Sequence, residues 1–135
     1  MDIQKNLENI FELTDLVIHE LGPLSGIRFG LNIESVEWVD GYIERIRSRR
    51  VGDPENIEGL INTLGSFLGE ALRASAGGKW SWVESQQTIG LLLPGGGVVF
   101  PFNKVRKQFV NGAEAGDSIT GFYSSTLTLQ ASGLL

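Results

Sequence analysis

The segment from Asp53 to Trp82 constrains this chain more than any other. A helical pattern carrying Gly59, Gly65 and Gly69 ends at Gly77-Gly78 and gives way to an aromatic strand. Glycine inside a helix costs roughly 0.5–1 kcal/mol relative to alanine, so three in one helix predict that something large packs against its backbone. Asp53-Pro54-Glu55 marks the start. The Asp accepts orphan amides, Pro fits the first turn, and the acids face the positive end of the helix dipole. Ile57, Leu60, Ile61, Leu64, Phe67, Leu68, Ala71 and Leu72 carry the stripe to about Ala76. At about 1.5 Å per residue such a helix crosses a whole small domain, which makes it the expected central, most buried element.

Before it, Ile3, Leu7, Ile10, Phe11, Leu13, Leu16, Val17, Ile18 and Leu21 recur at helical steps, predicting a first helix over roughly Asp2 to Leu21 that Gly22-Pro23 ends. Pro23 to Glu34 alternates at period two and is expected to be a short strand or an extended connector. Ser35 is the expected cap of a second helix, with Val36, Val39, Ile43 and Ile46 on one face and a basic C-terminal end. After Gly78 the period changes to two. Trp80 and Trp82 lead to Thr88-Ile89 and Leu91 to Leu93, then Val98 to Phe102, divided by Glu84-Ser85-Gln86 and Pro94-Gly95-Gly96-Gly97. These predict three antiparallel strands in a meander. Asn103 is the expected cap of a helix over Lys104 to Val110, and Asp117-Ser118 of another through Phe122 and Tyr123. The tail from Thr126 to Gln130 alternates as a strand would, and is expected to pair with a free sheet edge in the same chain or a second copy. The fold class expected is a single α+β domain over residues 1–135.

The segment Leu64-Gly65-Ser66-Phe67-Leu68-Gly69-Glu70, followed by Gly77-Gly78-Lys79-Trp80, resembles a family of small uncharacterised bacterial domains in which a Leu-Gly-x-x-Leu-Gly-Glu helix leads into Gly-Gly-x-Trp. Phe100-Pro101-Phe102 with Lys104-Val105, and Asp117-Ser118-Ile119 ahead of Phe122-Tyr123, extend the similarity over roughly the C-terminal two thirds. The resemblance implies an α+β domain without an assigned reaction, and brings no catalytic residues.

Composition narrows the chemistry. With 41% hydrophobic and 20% charged residues the chain is globular in type, and 135 residues suffice for one core without staples. The absence of cysteine removes disulfides, thiolate zinc sites and cysteine nucleophiles, and suits a cytoplasmic setting. The start, MDIQKNLENIFE, lacks the basic and unbroken apolar regions of a secretory signal. A net charge of −5 opposes binding to nucleic acid or anionic membrane. Neither is an expected partner, and no cofactor or metal is expected.

Single motifs read mostly as structure. His19, the only histidine, has neither cysteine nor a second histidine to complete a zinc set, and lies where a cation suits a helix end. Gly95-Gly96-Gly97 lacks the Lys-Ser/Thr of a phosphate loop and reads as a hairpin turn. Arg45, Arg47, Arg49 and Arg50 with Trp38 and Tyr42 form a basic-aromatic patch offset by Glu37, Asp40 and Glu44. Glu8, Glu12, Asp15 and Glu20 form an acidic, solvated face. The most plausible site is the corner where the long helix meets the first strand, with Glu70, Arg73, Lys79, Trp80, Trp82 and Glu84. Carboxylate, guanidinium and indole there can grip a polar ligand or peptide, or simply pair among themselves. No catalytic set is expected. The function expected is a non-catalytic protein-binding or adaptor module, immunity- or chaperone-like, that binds another protein or a second copy of itself. The alternative is a small-ligand binder or enzyme at the Glu70/Arg73/Lys79/Trp80 corner.

Overall fold

The computed structural model describes residues 3–49 and 54–134. Among them lie five α-helices and one three-stranded antiparallel sheet, an α+β fold. The helices are α1 (Ile3–Ser25), α2 (Ile33–Arg49), α3 (Pro54–Ala76), α4 (Pro101–Asn111) and α5 (Ile119–Ala131). The strands β1 (Lys79–Val83), β2 (Thr88–Leu92) and β3 (Val98–Val99) follow α3 in the order β1-β2-β3. Asp53, the expected cap of α3, lies outside the described residues, as do Asp2 and Arg50.

Helix α3 is the axis of the domain. Every residue from Leu64 to Leu72 is buried, as in a helix packed on all sides. A Cβ at Gly65 would stand 3.0 Å from the Cα of Phe102, and one at Gly69 would fall inside the Trp80 indole. These two glycines are therefore the predicted notch: α4 closes over one and the sheet over the other. Gly59 is different. Nothing lies within 4 Å of a Cβ built there, so the third glycine accommodates no neighbour. The exit from α3 needs glycine for a separate reason, since Gly78 has φ +104 and its missing side chain would meet the Leu92 carbonyl oxygen.

The meander forms as expected, with Trp80 opposite Leu91, Trp82 opposite Ile89 and Leu92 opposite Val98. Trp80, Leu91 and Leu93 are buried toward α3. The turn after β2 is closed by the Leu93 amide donating to the Gly97 carbonyl at 2.7 Å and the Gly96 amide to the Leu93 carbonyl at 2.9 Å. β3 is shorter than expected, because Pro101 supplies no ladder amide and instead opens α4.

Helix α4 starts at Pro101 with Phe100 in the cap position and no side-chain cap, so Asn103 lies inside its first turn and does not cap it. Further boundaries also differ from expectation. α1 runs through Gly22-Pro23 to Ser25 and stops at Gly26, which takes the left-handed conformation (φ 71); a proline so close to the helix end removes only one late hydrogen bond. Residues 26–32 contain no strand: Phe29 turns inward against Phe67 and Trp38. The cap of α2 is Asn32, whose Oδ1 accepts the Ser35 amide at 2.9 Å, while the Ser35 hydroxyl accepts the Gly30 amide at 2.8 Å. The tail from Thr126 to Gln130 is helical, within α5, so it pairs with no sheet edge. Ile119, Tyr123 and Thr126 are its buried residues, at helical spacing, and the Tyr123 hydroxyl lies 2.7 Å from that of Ser75.

Candidate functional site

The six corner residues divide into two groups. Glu70, in the C-terminal half of α3, is only 8% exposed. Its Oε2 accepts the Trp80 indole N–H at 2.9 Å and the Arg73 Nε–H at 2.8 Å. Hydrogen bonding to Glu70 holds the Arg73 guanidinium above its ordinary pKa, against the opposing effect of burial. The carboxylate is thus committed to a brace that fixes the indole filling the Gly69 notch, and the pairing already reads from the helical spacing of Glu70 and Arg73.

The second group faces outward. Lys79, Trp82 and Glu84 line a shallow concavity of about 610 Å³ together with Ile3, Ser81, Gln87 and a margin of the otherwise buried Trp80. The Trp82 indole N–H donates to Glu84 Oε2 at 2.8 Å, and Gln87 Nε2 donates to the Glu84 carbonyl at 2.7 Å. Gln87 has φ 50, the one non-glycine residue with positive φ among those described. That conformation costs of order 1 kcal/mol and persists where surrounding bonds impose it. The turn between β1 and β2 is therefore tied down by Glu84, and Trp82 with it.

β1 is an edge strand. Its inner side pairs with β2, and among the described residues no strand pairs with its outer side. An edge of this kind presents unpaired amides and carbonyls to any extended chain that reaches it.

Two features have no counterpart in the sequence expectations. The first is a cleft of about 390 Å³ between α1, α3, α4 and the β1–β2 turn, whose lining includes five side-chain amides, with Trp82 shared between it and the concavity. The second is a polar junction of α2, α4 and α5. Gln108, fully buried, donates from Nε2 to Asp40 Oδ1 and to Glu44 Oε2, each at 2.9 Å, and accepts the Ile119 amide at 2.8 Å. Asp40 Oδ2 accepts the Ser118 hydroxyl and, at 3.1 Å, the Thr120 amide. Burial alone would raise the Asp40 pKa. The bonds from Ser118, Gln108 and Thr120 together outweigh it and hold the carboxyl below its ordinary 3.8. The signal in the sequence is Gln108 itself, a polar residue on the apolar stripe of Val105 and Phe109.

The remaining candidates are local. His19 Nδ1 is 2.8 Å from the Asp15 carbonyl on an exposed part of α1. The basic patch is split: Arg45 stands over Trp38, which stacks on Tyr42, while Arg47 turns to Glu44 and the Phe109 carbonyl. Glu8, Glu12, Asp15 and Glu20 are all exposed.

Comparison with protein-family models, with curated proteins and with solved structures found no match. Among the described residues, no helix is long and apolar enough to cross a membrane.

Proposed function

We propose that this chain is a non-catalytic protein-binding module that receives an extended segment of its partner along the outer edge of β1. The observation that carries the reading is the conjunction of that open edge with the concavity beside it, where Trp82 is held in place by Glu84. Strand addition of this kind draws affinity from main-chain hydrogen bonds and selectivity from adjoining pockets. A fixed aromatic at the centre of such a surface is the usual anchor, since it buries a large area at small entropic cost. The lack of cysteine supports work in a reducing compartment such as the cytoplasm.

The test is capture of a stoichiometric partner by the tagged chain, with Trp82→Ala and Ser81→Glu as comparison variants. Both variants are expected to weaken capture at least tenfold, about 1.4 kcal/mol, while melting with the parent. Retention of the partner by both variants, or a chain that captures nothing at any salt concentration, overturns the reading. A second copy of the chain is the remaining candidate occupant of the edge, and sedimentation of the isolated protein identifies it.

A further inference from the structure

The amide-lined cleft points to a ligand of its own. Four of the seven asparagines in the sequence, Asn6, Asn9, Asn62 and Asn103, converge on it from three helices, and Gln87, whose Nε2 is held by Glu84, borders it from the β1–β2 turn. Asn6, Asn9 and Asn62 lie inside helices, where asparagine is a poorer helix former than the Lys, Glu or Gln usual on such surfaces. Asn9, Asn62 and Asn103 are exposed, and among the described residues their side-chain amides make no hydrogen bond, so both donors and acceptor are open to a ligand. The aromatic surfaces in the lining are Trp82 and Phe102, and Ile10, Leu13 and Ile89 are its apolar residues. Arg106 is the one charged residue in the lining, and both prongs of its guanidinium are taken by Glu58.

We infer that this cleft binds a neutral polyhydroxylated ligand, a mono- or disaccharide. A primary amide donates and accepts side by side, which matches adjacent sugar hydroxyls, and an indole offers a flat face to the ring's C–H groups. A lining whose single charge is neutralised favours an uncharged ligand over a phosphate or carboxylate. The volume of about 390 Å³ falls in the range of small-molecule sites. The inference goes beyond the β1-edge reading: the two share Trp82, but the asparagines that set the cleft apart lie on α1, α3 and α4, so Asn62→Ala tests it separately.

The experiment is titration of the ¹⁵N-labelled protein with glucose, N-acetylglucosamine and maltose, following the side-chain NH₂ signals of Asn9, Asn62 and Asn103. Triglycine and glucose 6-phosphate serve as the peptide and charged comparisons. At least one neutral sugar is expected to shift these signals saturably with Kd of about 1 mM or tighter. Asn62→Ala is expected to weaken that binding at least tenfold while leaving Tm unchanged or raised, since alanine is the better helix former. A merely structural asparagine would lower Tm instead. Signals that no neutral sugar moves, that move only with triglycine or only with glucose 6-phosphate, or an Asn62→Ala protein of parental affinity, each overturn the assignment.

Discussion

Replacing Gly69 by alanine opposes two effects of known size. Helix propensity favours the substitution by about 0.5–1 kcal/mol. Against it, the new methyl would overlap the Trp80 atoms Cη2 and Cζ2, with Pro101 Cγ a further 3.3 Å contact. Overpacking of a closed core costs typically about 1–3 kcal/mol. Trp80 cannot swing aside cheaply, because its indole N–H is bonded to the Glu70 carboxylate, and losing a bond to a charged group costs roughly 1.5–3 kcal/mol. The net expectation is destabilisation by about 2–4 kcal/mol, or a fall in Tm of roughly 6–15 °C for a chain of this length. Gly59→Ala, with open space at its Cβ, is the internal control and should gain about 0.5–1 kcal/mol. In a Trp80→Phe background the crowding atoms are gone, so Gly69→Ala should cost at least about 1 kcal/mol less there, a coupling that a double-mutant cycle reads directly. Urea unfolding followed by circular dichroism measures all of these variants. Gly69→Ala stabilising the protein as much as Gly59→Ala would refute the packing of the sheet on α3.

Ser118→Ala removes the cap that accepts the Thr120 and Gly121 amides at 3.1 and 3.2 Å, and should cost about 1–2 kcal/mol in urea unfolding. Asp40 has a folded-state pKa below its ordinary 3.8, so its contribution is fully present above the ordinary carboxylate range and is lost as pH falls through the folded value. Asp40→Asn should therefore lower stability at neutral pH and flatten the acid limb of a stability–pH profile. Glu70→Ala leaves the buried Trp80 N–H without its acceptor and should cost about 1–3 kcal/mol, with a change in tryptophan emission that Arg73→Ala reproduces only in part.

The helices and the meander are legible in the sequence because period and punctuation agree over most of the chain. The crowding at Gly65 and Gly69 is readable on similar grounds: two glycines one turn apart in an otherwise strong helix sacrifice propensity that only a close neighbour repays. Gly59 carries the same signal without the neighbour, because propensity cannot tell a crowded face from an open one. The tail departs from its pattern for a different reason. Thr126-Leu127-Thr128-Leu129 alternates as a strand does, but Ser118, Asp40 and Gln108 accept the first amides of α5, and a nucleated helix continues through β-branched residues. Of the corner residues, the Glu70–Arg73 pair follows from spacing. That the Trp80 indole closes on Glu70, while Trp82 closes on Glu84 and stays at the surface, depends on strand direction and register. The amide cleft is invisible in the sequence because Asn6 and Asn9, Asn62 and Asn103 come from three distant stretches of the chain and meet only when α1, α3 and α4 pack together.

Native-state hydrogen exchange, read residue by residue, tests the account of a buried rod carrying an open-edged sheet. Amides from Leu64 to Leu72 should exchange only through global unfolding, while alternate amides of β1, those facing away from β2, should exchange near the rate of unstructured chain. Fast exchange along Leu64–Leu72, or uniform protection along both sides of β1 in the isolated protein, would contradict it.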